Sequence, residues 1–144
     1  MLHKSNSTSE TMKIAEALAQ KCSPGAIICL VGDLGVGKTV FAKGFARGLG
    51  VCESITSPTF SIVNIYENTG GKTLYHFDVY RISNPSEMED TGFEEYFYGE
   101  GVCLVEWADL INELIPSSAV WVSIGKDLTV GEDYREIKIN NANI

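Results

Sequence analysis

Apolar positions follow two alternating rhythms along this chain, one of four residues and one of two. Ile14, Leu18 and Cys22 recur every four residues behind Ser7-Thr8-Ser9-Glu10. That S-x-x-E spacing is a capping box, so the pattern predicts a helix over roughly residues 8–21. Residues 26–31 form an unbroken apolar run bounded by Pro24-Gly25, as expected of a strand covered on both faces. Phe41, Phe45 and Leu49 then share one helical face, and Gly50 supplies its stop. Residues 51–58 read as a loop.

The second half is richer in strands. Residues 60–66 and 73–80 are β-prone and separated by Asn68-Thr69-Gly70-Gly71, which predicts an antiparallel pair. Ser83-Asn84-Pro85 opens a short polar helix that stops at Gly92, and residues 93–98 read as a further helical turn. Residues 102–105 are a second buried-strand candidate, ending at Glu106-Trp107. One or two helical turns over 110–115 precede Pro116. Residues 119–124 and 134–139 alternate as strands around a turn containing Gly and Asp.

Between the first apolar run and the helix of Phe41 lies Gly32-Asp33-Leu34-Gly35-Val36-Gly37-Lys38-Thr39. It fits the G-x-x-x-x-G-K-[ST] template of a phosphate-cradling loop at every position. Glycines allow the main chain to wrap a phosphate closely, and successive N–H groups then converge on its oxygens. Lys38 is suited to the β- and γ-phosphates, Thr39 to Mg²⁺, and the helix N-terminus adds partial positive charge. Strand, glycine loop and helix occur in the order this chemistry requires. The expected fold is therefore α/β: a P-loop NTPase-like mixed sheet flanked by helices. It forms one domain over residues 1–144, with an ordered core of about 8–140.

Composition narrows the partners. The chain has 144 residues, 44% hydrophobic and 21% charged, which suits a soluble globular domain. No apolar stretch approaches the roughly 20 residues needed to span a bilayer, and the first residues lack a signal-peptide core. Cytoplasmic residence without membrane attachment is the expectation. A net charge of −8, with 11 Lys and Arg and no basic run, disfavours direct binding of RNA or DNA. A basic protein partner fits better. Four scattered cysteines form no C-x-x-C pair and predict neither zinc nor disulfides.

Hydrolysis needs a carboxylate to manage Mg²⁺ or the attacking water. Asp78 and Glu106 each close an apolar strand, where a side chain projects toward the phosphates; a solvated strand end is the plainer alternative for either. Thr56-Ser57-Pro58-Thr59-Phe60 reads equally as a switch-like closing loop or a plain turn. His76 shares a strand face with Asp78 and reads as a hydrogen-bonded structural histidine rather than a catalytic one. Trp107 suits stacking near a base, a protein interface or core packing, and Arg47 and Arg81 suit surface ion pairs better than charge stabilisation.

Taken together, the glycine loop, Ser57-Pro58-Thr59-Phe60, His76-Phe77-Asp78-Val79-Tyr80-Arg81 and Val105-Glu106-Trp107-Ala108-Asp109 resemble the TsaE (YjeE) family over about residues 9–135. These are small bacterial P-loop ATPases of tRNA threonylcarbamoyladenosine biosynthesis. The resemblance implies binding of ATP and Mg²⁺, hydrolysis that is slow alone and stimulated in a complex, and docking on the partner pair TsaB and TsaD. It implies tRNA contact only through that complex, and ATP turnover that resets it. On the matching positions, residues Gly32, Asp33, Leu34, Gly35, Val36, Gly37, Lys38 and Thr39 become nucleotide contacts. Thr39 and Glu106 become the metal side, and Asp78, Glu106 and Lys38 the catalytic groups. Thr59 becomes a switch-like hydroxyl, Trp107 a neighbour of nucleotide or partner, and Thr11 and Arg135 borders of the adenine.

Two other functions share the loop. A small-molecule kinase usually has an arginine-rich lid and an acceptor pocket, neither evident here. A nucleotide-gated adaptor without turnover has no use for paired acids. Phosphoryl transfer to a panel of acceptors distinguishes the first, and absence of phosphate release the second.

Overall fold

The computed structural model describes residues 1–33, 35–58, 62–68 and 71–140. At its centre is β2 (Ile27–Val31), paired in parallel with β5 (Val102–Glu106) on one side and β6 (Val120–Lys126) on the other. A strand in that position has neighbours on both edges and cover on both faces, which is why it carries no polar residue. Ile28 and Leu30 face a core shared with Leu104, Val122, Phe41 and Phe45. Ile27 and Cys29 face the opposite core, built around Phe77, Met88, Phe97 and Ile111.

The sheet has seven strands in the order β1-β7-β6-β2-β5-β4-β3. β4 (Leu74–Asp78) lies parallel to β5, so four adjacent central strands run the same way. Antiparallel strands close both flanks: β3 (Val63–Tyr66) on β4, and β7 (Arg135–Asn140) on β6. The mixed α/β architecture expected from the sequence is the one found. Strands β3 and β4 are shorter than the β-prone runs that contain them, and Thr69 and Gly70 of their connecting turn lie outside the described residues.

α1 (Thr8–Lys21) is capped by Ser7 as predicted, with the return bond of the capping box shifted one residue back. The Glu10 N–H donates to Ser7 Oγ at 3.1 Å, while Glu10 Oε2 accepts from the Asn6 N–H at 2.6 Å. α2 (Lys38–Gly48) packs against α1 almost main chain to main chain. A Cβ on Gly44 would lie 2.5 Å from the Met12 carbonyl oxygen, and one on Gly48 2.5 Å from that of Glu16. On the other face, Pro85–Thr91 forms a 3-10 helix rather than an α-helix; Asn84 caps it, and Gly92 at φ +70° ends it before α3 (Phe93–Phe97).

One element lies outside the hydrophobic pattern. β1 (Leu2–Ser5) pairs antiparallel with β7, adding a strand ahead of residue 8, where the ordered core was expected to begin. The Met1 ammonium donates to the Ile139 carbonyl at 2.7 Å, and the Ile139 N–H to the Met1 carbonyl at 2.9 Å. Main-chain pairing at a sheet edge leaves little trace in side-chain pattern, and Leu-His-Lys-Ser shows none.

The interlock of α1 and α2 is testable. Gly44→Ala must push the helices apart, costing about 1–3 kcal/mol by urea unfolding despite alanine's better helix propensity. Gly125→Ala, where an added Cβ meets nothing within 4 Å, should change stability by about 0.5 kcal/mol or less.

Candidate functional site

Where β2 ends, the main chain turns under tight steric control. Gly32 has φ +154°, and a Cβ there would sit 2.7 Å from the Ile124 carbonyl oxygen and 2.9 Å from Val36 Cγ1. Gly35 and Gly37 follow at φ +76° and +107°, in the region side-chain-bearing residues avoid. Val36 tucks its side chain inward, Asp33 stays exposed, and Leu34 lies outside the described residues. The Arg135 guanidinium reaches across from β7, donating from Nε to the Val36 carbonyl at 2.7 Å and from one terminal nitrogen to the Glu132 and Tyr134 carbonyls. Arg135 therefore braces the loop's main chain.

The loop delivers Lys38 and Thr39 to the first turn of α2. Lys38 is only 6% exposed. Its Nζ donates to the Gly32 carbonyl at 2.5 Å and lies 3.3 Å from the centre of the Trp107 ring. Burial pulls the Lys38 pKa down, and the carboxylates of Glu106, Asp78, Asp109 and Asp33 pull it back up.

Parallel pairing of β4 and β5 sets Asp78 directly beside Glu106 in register, both at the carboxyl ends of their strands. Glu106 is buried, its Oε2 2.6 Å from His76 Nε2. Asp78 is half-buried. Its pKa is raised, first by burial and then by the charge of Glu106, against the Tyr80 N–H at 3.0 Å, His76 and Lys38. Immediately after Glu106 the chain turns through Trp107, the only side-chain-bearing residue with positive φ among those described (φ 63°). Its ring meets that of Tyr80 at a tilt of 46°, with centroids 4.7 Å apart.

These groups enclose a cavity of about 330 Å³. Gly35, Gly37, Lys38, Thr39, Asp78, Glu106 and Trp107 line it together with Ser57. Residues expected from separate stretches of sequence thus converge at one place. Ser57 arrives there from a segment anchored to β3, since Tyr66 and Asn64 both bond the main chain of Thr56; Thr59 and Phe60 lie outside the described residues. Thr11 is not brought to the cavity. It is buried within α1, its hydroxyl 2.7 Å from that of Ser5. Arg47 makes a surface ion pair with Glu16 at 3.3 Å.

Sequence reasoning passed over Lys126, at the carboxyl end of β6, whose Nζ lies 4.0 Å from where a Gly35 Cβ would be. The available signal was positional: β6 runs parallel to β2, so its last residue emerges at the end that carries the loop. The partner of His76 was also unidentified, because Glu106 is 30 residues away in sequence.

A model of the family described as Threonylcarbamoyl adenosine biosynthesis protein TsaE matches residues 5–137. The chain belongs to the TsaE family. A Bacillus subtilis relative named tRNA threonylcarbamoyladenosine biosynthesis protein TsaE is 50% identical over 128 residues, covering 89% of this chain and 77% of that one. A Treponema pallidum TsaE is 39% identical over 135 residues, or 94% and 96% of the two chains. The crystal structure of Bacillus subtilis YdiB superposes with a TM-score of 0.78 at 43% identity, covering 96% of this chain and 83% of that one. Among the described residues, no helix of this TsaE-family chain is long and apolar enough to cross a membrane.

The strained carboxylate gives a pH-dependent test. Because Asp78 titrates above its ordinary 3.8 in the native state, the folded chain holds this proton more tightly than the unfolded one. Stability therefore falls as pH rises through the interval from 3.8 to the raised value. Asp78→Asn keeps an acceptor for the Tyr80 N–H and removes the charge. It should melt higher than wild type at pH 7 without ligand, with the gain shrinking as pH approaches 3.8.

Proposed function

We propose that this chain is the ATP-binding and ATP-hydrolysing component of the bacterial machinery that makes N6-threonylcarbamoyladenosine at position 37 of tRNA. It acts in the cytoplasm with TsaB and TsaD, and hydrolysis resets that complex between cycles. One observation carries the reading: Lys38, Thr39, Asp78 and Glu106, from three separate elements, line a single cavity at the glycine loop. The names of the relatives supply the pathway.

The roles follow from the chemistry of each group. The loop amides and the α2 N-terminus bind the phosphates. Lys38 exchanges the Gly32 carbonyl and the Trp107 ring for β- and γ-phosphate oxygens, and burial keeps that cation poorly hydrated and ready to pair. Among the described residues no group of three or more His, Cys, Asp or Glu side chains is arranged to hold a metal ion by itself. The hard oxygen donors at the cavity suit Mg²⁺, which keeps several waters and shares its shell with substrate phosphates. Thr39 and Glu106 would hold it, and when bound it neutralises charge on the β- and γ-oxygens. Asp78, with its raised pKa, accepts a proton from, or orients, the attacking water. A surface of net charge −8 leaves tRNA contact to the partner proteins.

The decisive assay is phosphate release from ATP with and without TsaB and TsaD, which should be slow alone and faster together. Equal rates would remove the partner claim, and transfer of phosphate to a small acceptor would mark a kinase. Lys38→Ala should weaken ATP binding by roughly 10- to 100-fold in calorimetry, the value of a charge-assisted contact. Undiminished affinity would contradict the assignment.

A further inference from the structure

His76 is buried to 1% exposure, yet among the described residues its ring makes only one hydrogen bond, between Nε2 and Glu106 Oε2. Among the described residues its Nδ1 has no partner. A buried polar atom left unpaired costs stability, and an apolar side chain beside Leu74 on that strand would avoid the cost. The histidine is thus better explained by what it does for Glu106 than by what it does for the core. Its in-register neighbour on β5 is Leu104, so Glu106 stands diagonally across, within reach of a long side chain. With the proton on Nε2, the ring donates to Oε2, and Nδ1 keeps only a lone pair, the milder of the two ways to be unpaired. One carboxylate oxygen is then committed to the protein, and the other remains for the cavity that Glu106 lines.

We infer that His76 is a positioning residue: it locks the Glu106 carboxylate in one orientation so that a single oxygen is offered to the metal accompanying a bound nucleotide. The inference rests on the nucleotide-site reading above. Outer hydrogen-bond partners of this kind fix a ligand's direction and tune its basicity.

The test uses His76→Leu, which removes the donor, and His76→Gln, whose amide nitrogen sits about as far from the main chain as Nε2. Mn²⁺ binding to the ADP complex is read by electron paramagnetic resonance, ADP binding without metal by calorimetry, and folding by circular dichroism. His76→Leu should weaken Mn²⁺ by roughly 10-fold or more while metal-free ADP affinity stays within about twofold. His76→Gln should recover most of the loss. A folded His76→Leu with unchanged Mn²⁺ affinity overturns the inference while leaving the nucleotide site standing. So does a variant that loses stability and ADP affinity alike, the mark of a structural role. If His76→Leu fails to fold, His76→Gln decides: near-wild-type Mn²⁺ affinity supports the inference, and a tenfold loss in a folded protein sinks it. A wild-type chain that takes up neither ADP nor Mn²⁺ sinks the site assignment and the inference together.

Discussion

Four central strands run in one direction, and the chemistry of this molecule depends on that alignment. Parallel pairing excludes polar side chains from the middle of β2 and β5, because both faces of the sheet are covered. On these two strands polar side chains then appear only where the strand ends. The glycine loop follows β2, Asp78 ends β4, Glu106 ends β5 and Lys126 ends β6, so four short sequence segments meet at one edge. The antiparallel flanks contribute through Arg135, which braces the loop from β7, and through β3, which anchors the segment carrying Ser57.

Without ligand, the site holds charges in unfavourable surroundings. Lys38 is pulled toward neutrality by burial, and Asp78 is pushed toward protonation by burial and by Glu106. The three glycines of the loop hold positive φ, and Trp107 does so with a full side chain. The burial of these charges and the backbone of Trp107 each work against stability, and Lys38, Asp78 and Trp107 line one cavity. Local conflict of this sort is what a binding site looks like when the rest of a sequence is consistent with its fold. A partner carrying several negative oxygens and a divalent cation matches the arrangement, because it supplies counter-charge to Lys38 and to the carboxylates at once.

Much of this was legible in the residues. The capping box, the unbroken run of β2 and the four-residue spacing of Phe41, Phe45 and Leu49 specify the first half of the fold through side-chain pattern alone. Asp78 and Glu106 could be picked out because an acid closing a mostly apolar β-prone run marks a strand end. What stayed hidden has a common cause. β1 is held by main-chain pairing, Glu106 meets His76 across 30 residues, and Lys126 reaches the loop only because of where β6 falls in the sheet. Thr11 shows the reverse: a polar residue at a promising position spends its hydroxyl on Ser5.

The seam between α1 and α2 has a mechanical meaning. At Gly44 and Gly48 the two backbones touch without intervening side chains, so there is no flexible layer over which one rod can slip along the other. A tilt of α2 at its loop end would meet no compliant layer of side chains before it reached α1.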